Sequence, residues 1–278
     1  MWLGIDLGGT NLRVGVVDGR SVVESVTVPS IPKDCSLDSS IDYLVEVIRP
    51  LCSSEITGIG IGVPSVVDAK KGIVYDVTNI PQWVEVPLKA ILEKHFSSQE
   101  IRVNNDSNCF ALGEYKFGKG RGVSSLVGIT LGTGVGSGVV LDGKLYGGAN
   151  TGAGEIGCIP YMGKTLEEYC ASKFFTDGLG LTAKEAADAA IAGDVGMSDA
   201  WKEFGRHMAY LLSVAVYAYD PEMVVFGGGL TKAEPLFRDS MKEAMKEFAF
   251  QKSLENLKIE YSTLKDVAVL GAASLVMD

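Results

Sequence analysis

Histidine is scarce in this chain of 278 residues: only His95 and His207 occur. Both sit in helix-like segments among charged or apolar neighbours, outside the glycine-rich and polar turns. Any proton transfer is therefore expected from a carboxylate. The five cysteines are an odd number and form no C-x-x-C pair, so reduced cytosolic thiols are expected, and neither a disulfide framework nor a zinc ribbon. No run of about 20 apolar residues is free of charge or glycine clusters, which argues against a membrane span. No basic run exists and the formal net charge is −10. Duplex nucleic acid needs a positive face that displaces counterions, so no nucleic-acid partner is expected. No basic-then-apolar leader precedes the first strand pattern at residues 2–5, and the expected location is the cytoplasm.

Glycine, by contrast, is abundant: 34 residues, gathered in clusters. Such clusters point to loops shaped by backbone, and their amides, with helix ends and a metal, can hold an anionic ligand despite the negative net charge. The length suggests two domains at the usual ~100–200 residues each. An internal repeat supports that division. Residues 4–20, G-I-D-L-G-G-T-N-L-R-V-G-V-V-D-G-R, align without gaps to residues 128–144, G-I-T-L-G-T-G-V-G-S-G-V-V-L-D-G-K. Each copy reads strand, glycine turn, strand, then an Asp-Gly turn into a further strand.

Between and after the copies, strands alternate with helices. Helical spacing is read at 41–51, 87–96 and 109–117, the last capped by Asn104-Asn105-Asp106-Ser107. A capping box at Thr182–Glu185, a long helix over 198–218, a helix over 235–250 and a closing apolar helix over 267–277 follow. Buried strands are expected at 56–63, 101–103, 223–226 and 257–261. This is an α/β pattern with a mixed sheet in each lobe. The expected lobes are 1–112 and 113–278, with the closing helix, 267–278, packing back on the first and a helix crossing between lobes near 107–120.

Two glycine turns carry the first chemical signal. In D-L-G-G-T, residues 6–10, a carboxylate ends a strand and a nearly side-chain-free turn follows. Its amides can approach phosphate oxygens while Asp6 holds the waters of a magnesium ion. The second turn, L-G-T-G-V-G-S-G at 131–138, offers amides and the Thr133 hydroxyl from the opposite side. Neither Gly138 to Lys144 nor Gly113 to Lys119 is a P-loop, because Leu145 and Gly120 stand where Ser or Thr is required. The dinucleotide fingerprint also fails, since Val139-Val140-Leu141 continues as strand. A third segment, N-N-D-S-N at 104–108, combines amides and a carboxylate at a strand-to-helix junction. Such a set suits a polyol, one of whose hydroxyls loses its proton to the carboxylate as it accepts a phosphoryl group; taken alone it also reads as a helix cap. Trp201 lies on an apolar stripe and reads as core. Trp83, beside Asn79 and Pro81, reads equally as core or as a cover over the sugar.

These motifs resemble, in order, those of the ROK family (repressors, open reading frames and sugar kinases) within the actin-like ATPase-domain superfamily. D-L-G-G-T-N-L-R is similar to its first phosphate motif and L-G-T-G-V-G-S-G to its second. G-I-G-V-P-S-V-V-D at 60–68 and N-I-P-Q-W at 79–83 resemble its sugar-pocket loops, and N-N-D-S-N-C-F-A-L-G-E its catalytic segment. G-A-G-E-I-G at 152–157 and V-V-F-G-G-G at 224–229 resemble its sugar-glutamate and adenosine-side motifs. The resemblance implies a two-lobed actin-like ATPase (ribonuclease H-like) fold with a cleft between mixed sheets. It implies transfer of the ATP γ-phosphate to a sugar hydroxyl, O6 of glucose or a related hexose. Asp106 is then the general base; Asn105, Asp68, Asn79, Glu155 and Glu167 bind sugar. Gly8, Gly9, Thr10, Thr133 and Gly134 contact phosphates, Gly228 and Gly229 lie against adenosine, and Asp6 acts through Mg²⁺. A homodimer is expected from the family.

One departure stands out. Where zinc-containing members carry a histidine after G-E-I-G, this chain has Cys158, and residues 159–164 lack the family's cysteine cluster. No structural zinc is expected. Glu167 follows that deletion in T-L-E, in place of the family's C-L-E. Two rival functions account for less of the sequence. A non-catalytic sugar-sensing regulator would carry a DNA-binding region ahead of the first phosphate motif, and here that motif begins at Asp6. An actin-like ATPase would need neither N-N-D-S-N nor G-A-G-E-I-G.

Overall fold

The computed structural model describes residues 1–277; Asp278, the end of both the expected second lobe and the expected closing helix, lies outside them. The first copy of the repeat folds as β1 (Trp2–Leu7), β2 (Asn11–Asp18) and β3 (Ser21–Pro29), an antiparallel meander. The amphipathic helix α1 (Leu37–Ile48) buries Ile41, Leu44, Val45 and Ile48 and starts at Ser36, whose side chain caps the Ser39 N–H. Next come β4 (Gly58–Val63) and a small sheet of β5 (Val67–Asp68), β6 (Ile73–Tyr75) and β7 (Glu85–Val86). Helix α2 (Leu88–His95) leads to β8 (Glu100–Asn105), giving a first sheet of order β3-β2-β1-β4-β8 in which β4 lies parallel to both β1 and β8.

Helix α3 (Asp106–Phe117) carries the chain to the second copy, β9 (Leu126–Leu131), β10 (Val135–Leu141) and β11 (Lys144–Leu145). A hairpin of β12 (Pro160–Tyr161) and β13 (Lys164–Thr165) precedes four helices. These are α4 (Leu166–Cys170), α5 (Lys173–Leu179), α6 (Ala183–Ile191) and the 25-residue α7 (Val195–Tyr219). Strand β14 (Met223–Gly227), α8 (Glu234–Ala244), α9 (Gln251–Asn256), β15 (Lys258–Tyr261) and α10 (Val267–Ala273) complete the chain. The second sheet, β11-β10-β9-β14-β15, repeats the order of the first.

Each sheet has its own apolar core, the second built around Phe175, Trp201, Phe204 and Phe237. Trp83 resolves as core: it is fully buried, and its indole N–H donates to Ser40 Oγ at 2.7 Å. Several helices differ from the sequence pattern at their ends: α1 runs 37–48 rather than 41–51, and α10 ends at Ala273 rather than 277. Helix α7 starts three residues earlier than expected because Asp194 caps the Met197 N–H. The expected helix over 235–250 ends at Ala244, and the Gln251 side-chain amide donates to the carbonyls of Met245, Lys246 and Phe248 in the turn that follows. Among the described residues no helix is long and apolar enough to cross a membrane.

The lobes are joined by an exchange of helices. Helix α3 leaves the first sheet and packs on β9 and β10 of the second; α10 leaves the second sheet and packs on β1 and β4 of the first. The two helices also cross each other so closely that a β-carbon on Gly271 of α10 would lie 1.7 Å from the Cys109 carbonyl oxygen of α3. The repeat explains the matching glycines. A β-carbon on Gly4 would lie 1.9 Å from the Val269 oxygen of α10, and one on its repeat equivalent Gly128 would lie 2.8 Å from Ala111 Cα of α3. Gly271→Ala is therefore expected to destabilise the fold by about 1–3 kcal/mol or more in chemical denaturation. Gly178→Ala, in α5 with nothing within 4 Å of its added carbon, is expected to be neutral or to stabilise by up to about 1 kcal/mol.

Candidate active site

Where β8 passes into α3, three consecutive polar residues take different tasks. Asn105 is the N-cap: its Oδ1 accepts the N–H of Ser107 at 2.9 Å and of Asn108 at 3.1 Å, and its Nδ2 donates to the Ser65 carbonyl at 3.0 Å. This geometry closes the helix start and ties it to the loop after β4. It also occupies most of the amide capacity expected to serve a sugar. Asp106 follows, half-buried, with Oδ1 accepting the Ser107 N–H at 2.7 Å. Ser107 Oγ lies 3.3 Å from that same oxygen and 3.0 Å from Thr130 Oγ1 of β9. Asp106 Oδ2 accepts no hydrogen bond among the described residues, so it is the atom available to a substrate proton.

Asp106 has a carboxyl pKa pushed up to about 7. Burial is the main cause and the charge of Asp6 the next; the Ser107 hydrogen bonds pull the other way, and Glu155 adds a smaller push. A group that titrates near neutrality is suited to general base chemistry. Asp6, at the end of β1, also has its pKa raised by burial, partly offset by Arg13, and it accepts no hydrogen bond among the described residues.

The opposite wall is the β9–β10 hairpin. Asp106, Asn105 and Asn79 face Thr133, Gly134, Glu155, Glu167 and Gly228 across a cleft of about 580 Å³. Glu167 is held at both oxygens, Oε2 accepting the Val135 N–H at 3.1 Å and Oε1 accepting from Lys173 Nζ at 2.7 Å. The Glu155 pKa is raised by burial and by the charge of Glu167. Gly132 and Thr133 line this cleft and also an adjoining, mostly apolar pocket of about 690 Å³, with Gly229, Ala187, Ile191 and Leu236 on its walls. Gly228 turns the chain between the two at a φ of +93°, where a β-carbon would lie 2.2 Å from the Leu131 oxygen.

Not every expected residue reaches this cleft. Gly8 closes the β1–β2 turn by donating to the Asn11 carbonyl at 2.9 Å, and Gly9 abuts the Asn79 side chain; Thr10 is exposed, and none of the three lines the cleft wall. Asp68, expected in the sugar set, does not line this cleft. It lies in a separate cavity with Asn104 and Asn108, and its own turn holds it: its carboxylate accepts the N–H of Lys70 and Lys71, both at 3.1 Å, and pairs with Lys71 Nζ at 3.3 Å. Lys173 was missed. Its partner Glu167 is six residues away and in a different helix, a separation that no helical pairing rule flags.

A magnesium ion fits these donors through water. The charges of Asp6 and Asp106 interact, and the Asp6 carboxylate, which accepts no hydrogen bond among the described residues, is the kind of hard oxygen donor that holds a hydrated divalent cation. Among the described residues no group of three or more His, Cys, Asp or Glu side chains converges on a point. Cys158 is exposed and Cys170 is buried in the second core.

Comparison with known proteins adds three relatives. The family model described as ROK family matches residues 2–278. A glucokinase of Halalkalibacterium halodurans is 28% identical, over 99% of this chain and 94% of that protein. A xylose repressor of Caldicellulosiruptor bescii is also 28% identical, over 99% of this chain and 77% of the repressor. The structure of a ROK family glucokinase from Streptomyces griseus in complex with glucose and AMPPNP matches with a TM-score of 0.79 at 26% identity, covering 99% of this chain and 98% of that one. The fold is thus the expected two-lobed, actin-like α/β architecture.

The raised Asp106 pKa has a consequence for folding. Below the unfolded-state value, near 3.9, both states carry the proton; above it the unfolded chain ionises first, and stability is lost until the folded group ionises near 7. Asp106→Asn cannot ionise and keeps an oxygen for the Ser107 N–H. Its stability relative to the native chain is expected to rise by roughly 2–4 kcal/mol between about pH 4 and about pH 8, read from denaturation at each pH.

Proposed function

The chain belongs to the ROK family, and from that membership and the cleft we propose that it is an ATP-dependent hexose kinase. Phosphoryl transfer needs a nucleophile in line, a base at its proton and an electrostatic cradle for the phosphates. In this reading the hexose lies between Asp106 and Glu155, with Asn105 and Asn79 at its edge, and Asp106 Oδ2 takes the proton of the attacking hydroxyl, O6 of glucose or a related hexose. Thr133 and Gly134 contact the phosphates. The base and ribose occupy the adjoining apolar pocket beside Gly229. Mg²⁺, when bound, supplies positive charge that offsets the transferring phosphoryl group, and Asp6 is the residue that holds it through water. Closure of the lobes, 1–112 and 113–278, would exclude water as a competing nucleophile.

The observation that carries this reading is a pair of adjoining hollows that share Gly132 and Thr133 on their walls. One holds a carboxylate of pKa about 7 against a glycine hairpin, and the other is a mostly apolar pocket of about 690 Å³. An actin-like ATPase has no use for the carboxylates Glu155 and Glu167 on the sugar side. The xylose repressor among the relatives favours one other outcome, a regulator that binds sugar without turnover.

The test is ADP release from Mg·ATP across glucose, mannose, fructose, N-acetylmannosamine and allose. At least one sugar is expected to drive turnover, and Asp106→Asn to lower kcat by about 10²–10⁴-fold with a much smaller change in the KM for ATP. Release independent of sugar would favour an ATPase, and sugar binding without release the regulator. An Asp106→Asn rate equal to native would remove the carboxylate from the mechanism.

A further inference from the structure

Lys173 is the one lysine or arginine among the described residues lining the catalytic cleft; the ionisable side chains around it are Asp106, Glu155 and Glu167. Its position is set by backbone. The N–H of Ser172, the residue before it, donates to the Gly132 carbonyl at 2.9 Å, which pins the start of α5 to the tip of the β9–β10 hairpin. Ser172, Gly132 and Thr133 all line the apolar pocket, while Lys173 faces the cleft. The lysine therefore stands at the seam between them. A phosphate chain running from that pocket toward Asp106 has to pass it.

The partner it holds now is a weak one. Lys173 Nζ lies 2.7 Å from Glu167 Oε1, with the two side chains 39% and 31% exposed. Ion pairs this open to solvent hold their members loosely, and a lysine on a four-carbon stem is readily drawn to a more highly charged anion. Glu167 would not follow it, because the Val135 N–H anchors its other oxygen at 3.1 Å. We propose that Lys173 binds the terminal phosphates of the nucleotide and, in leaving Glu167, frees Oε1 to accept a sugar hydroxyl. Nucleotide and hexose then strengthen each other's binding, each by the same factor. This rests on the kinase reading.

Calorimetry with AMPPNP, AMP and the panel hexose of highest turnover tests it. In the native protein, saturating AMPPNP is expected to tighten hexose binding by about 5–10-fold, and AMP to have no such effect. Lys173→Met is expected to weaken AMPPNP by about tenfold while AMP stays within about twofold, and to abolish the coupling. Its hexose affinity without nucleotide should move toward that of the nucleotide-loaded native protein. Lys173→Arg should recover most of the AMPPNP affinity. Native-like AMPPNP binding in Lys173→Met, equal loss of AMPPNP and AMP, or coupling that survives the substitution would each overturn the inference while leaving the kinase reading intact. A native protein that releases no ADP with any sugar would instead remove the reading and the inference together.

Discussion

The close crossing of α3 and α10 fixes everything else in the active cleft. Asp106 is the first residue of α3, so its position depends on where that helix lies against both sheets. Glycine at position 271 lets the α10 backbone meet the Cys109 carbonyl without a side chain between them. Gly128 and Gly138 do the same for α3 on the second sheet, and Asn105, anchored to the Ser65 carbonyl, sets the helix start on the first. A one-turn shift of α3 would break all of these contacts together. Close packing of this kind resists continuous deformation, so the carboxylate is presented at one place relative to both lobes.

That rigidity bears on charge. The cleft gathers Asp106, Glu155 and Glu167 with Asp6 near the floor, while Lys173 is already paired. Such a set is unfavourable in the empty state: burial and neighbouring carboxylates raise the pKa values of Asp106 and Glu155, and burial raises that of Asp6. A nucleotide arriving with a divalent cation reverses the balance, since the cation offsets the carboxylates as well as the phosphates. Hydroxyl-rich ligands profit differently, because ionised carboxylates are strong acceptors for several O–H donors at once. A strongly acidic chain can therefore take an anionic ligand without any basic patch.

Much of this was legible in the amino-acid sequence, and what was hidden has physical reasons. The repeat at positions 4–20 and 128–144 announced two sheets of the same order, because strand, glycine turn and strand impose local spacing that a sequence displays directly. The Asn105 cap and the Thr182–Glu185 capping box were visible for the same reason. The sheet of β5, β6 and β7 was not, since strands of two or three residues are too short to show alternation. The place of Asp68 outside the cleft was not legible either, because a carboxylate two residues before a backbone N–H serves its own turn as readily as a ligand. Lys173 was invisible because the contact with Glu167 depends on the break between α4 and α5, a tertiary fact. Trp83 was undecidable until Ser40, 43 residues away, supplied its acceptor.

The duplication also explains how one carboxylate comes to be tuned from both sides. Position 6 of the first copy corresponds to position 130 of the second, and each ends the first half of its strand pair facing the same helix start. The first copy places a carboxylate there, and the Asp6 charge pushes the pKa of Asp106 upward. The second places a hydroxyl there: Thr130 Oγ1 sits 3.0 Å from Ser107 Oγ, which in turn lies 3.3 Å from Asp106 Oδ1. Ser107 hydrogen bonding pulls that pKa down. Equivalent sites in the two lobes thus flank one carboxylate, the first supplying charge and the second a hydroxyl that pairs with Ser107, the residue hydrogen-bonded to Asp106.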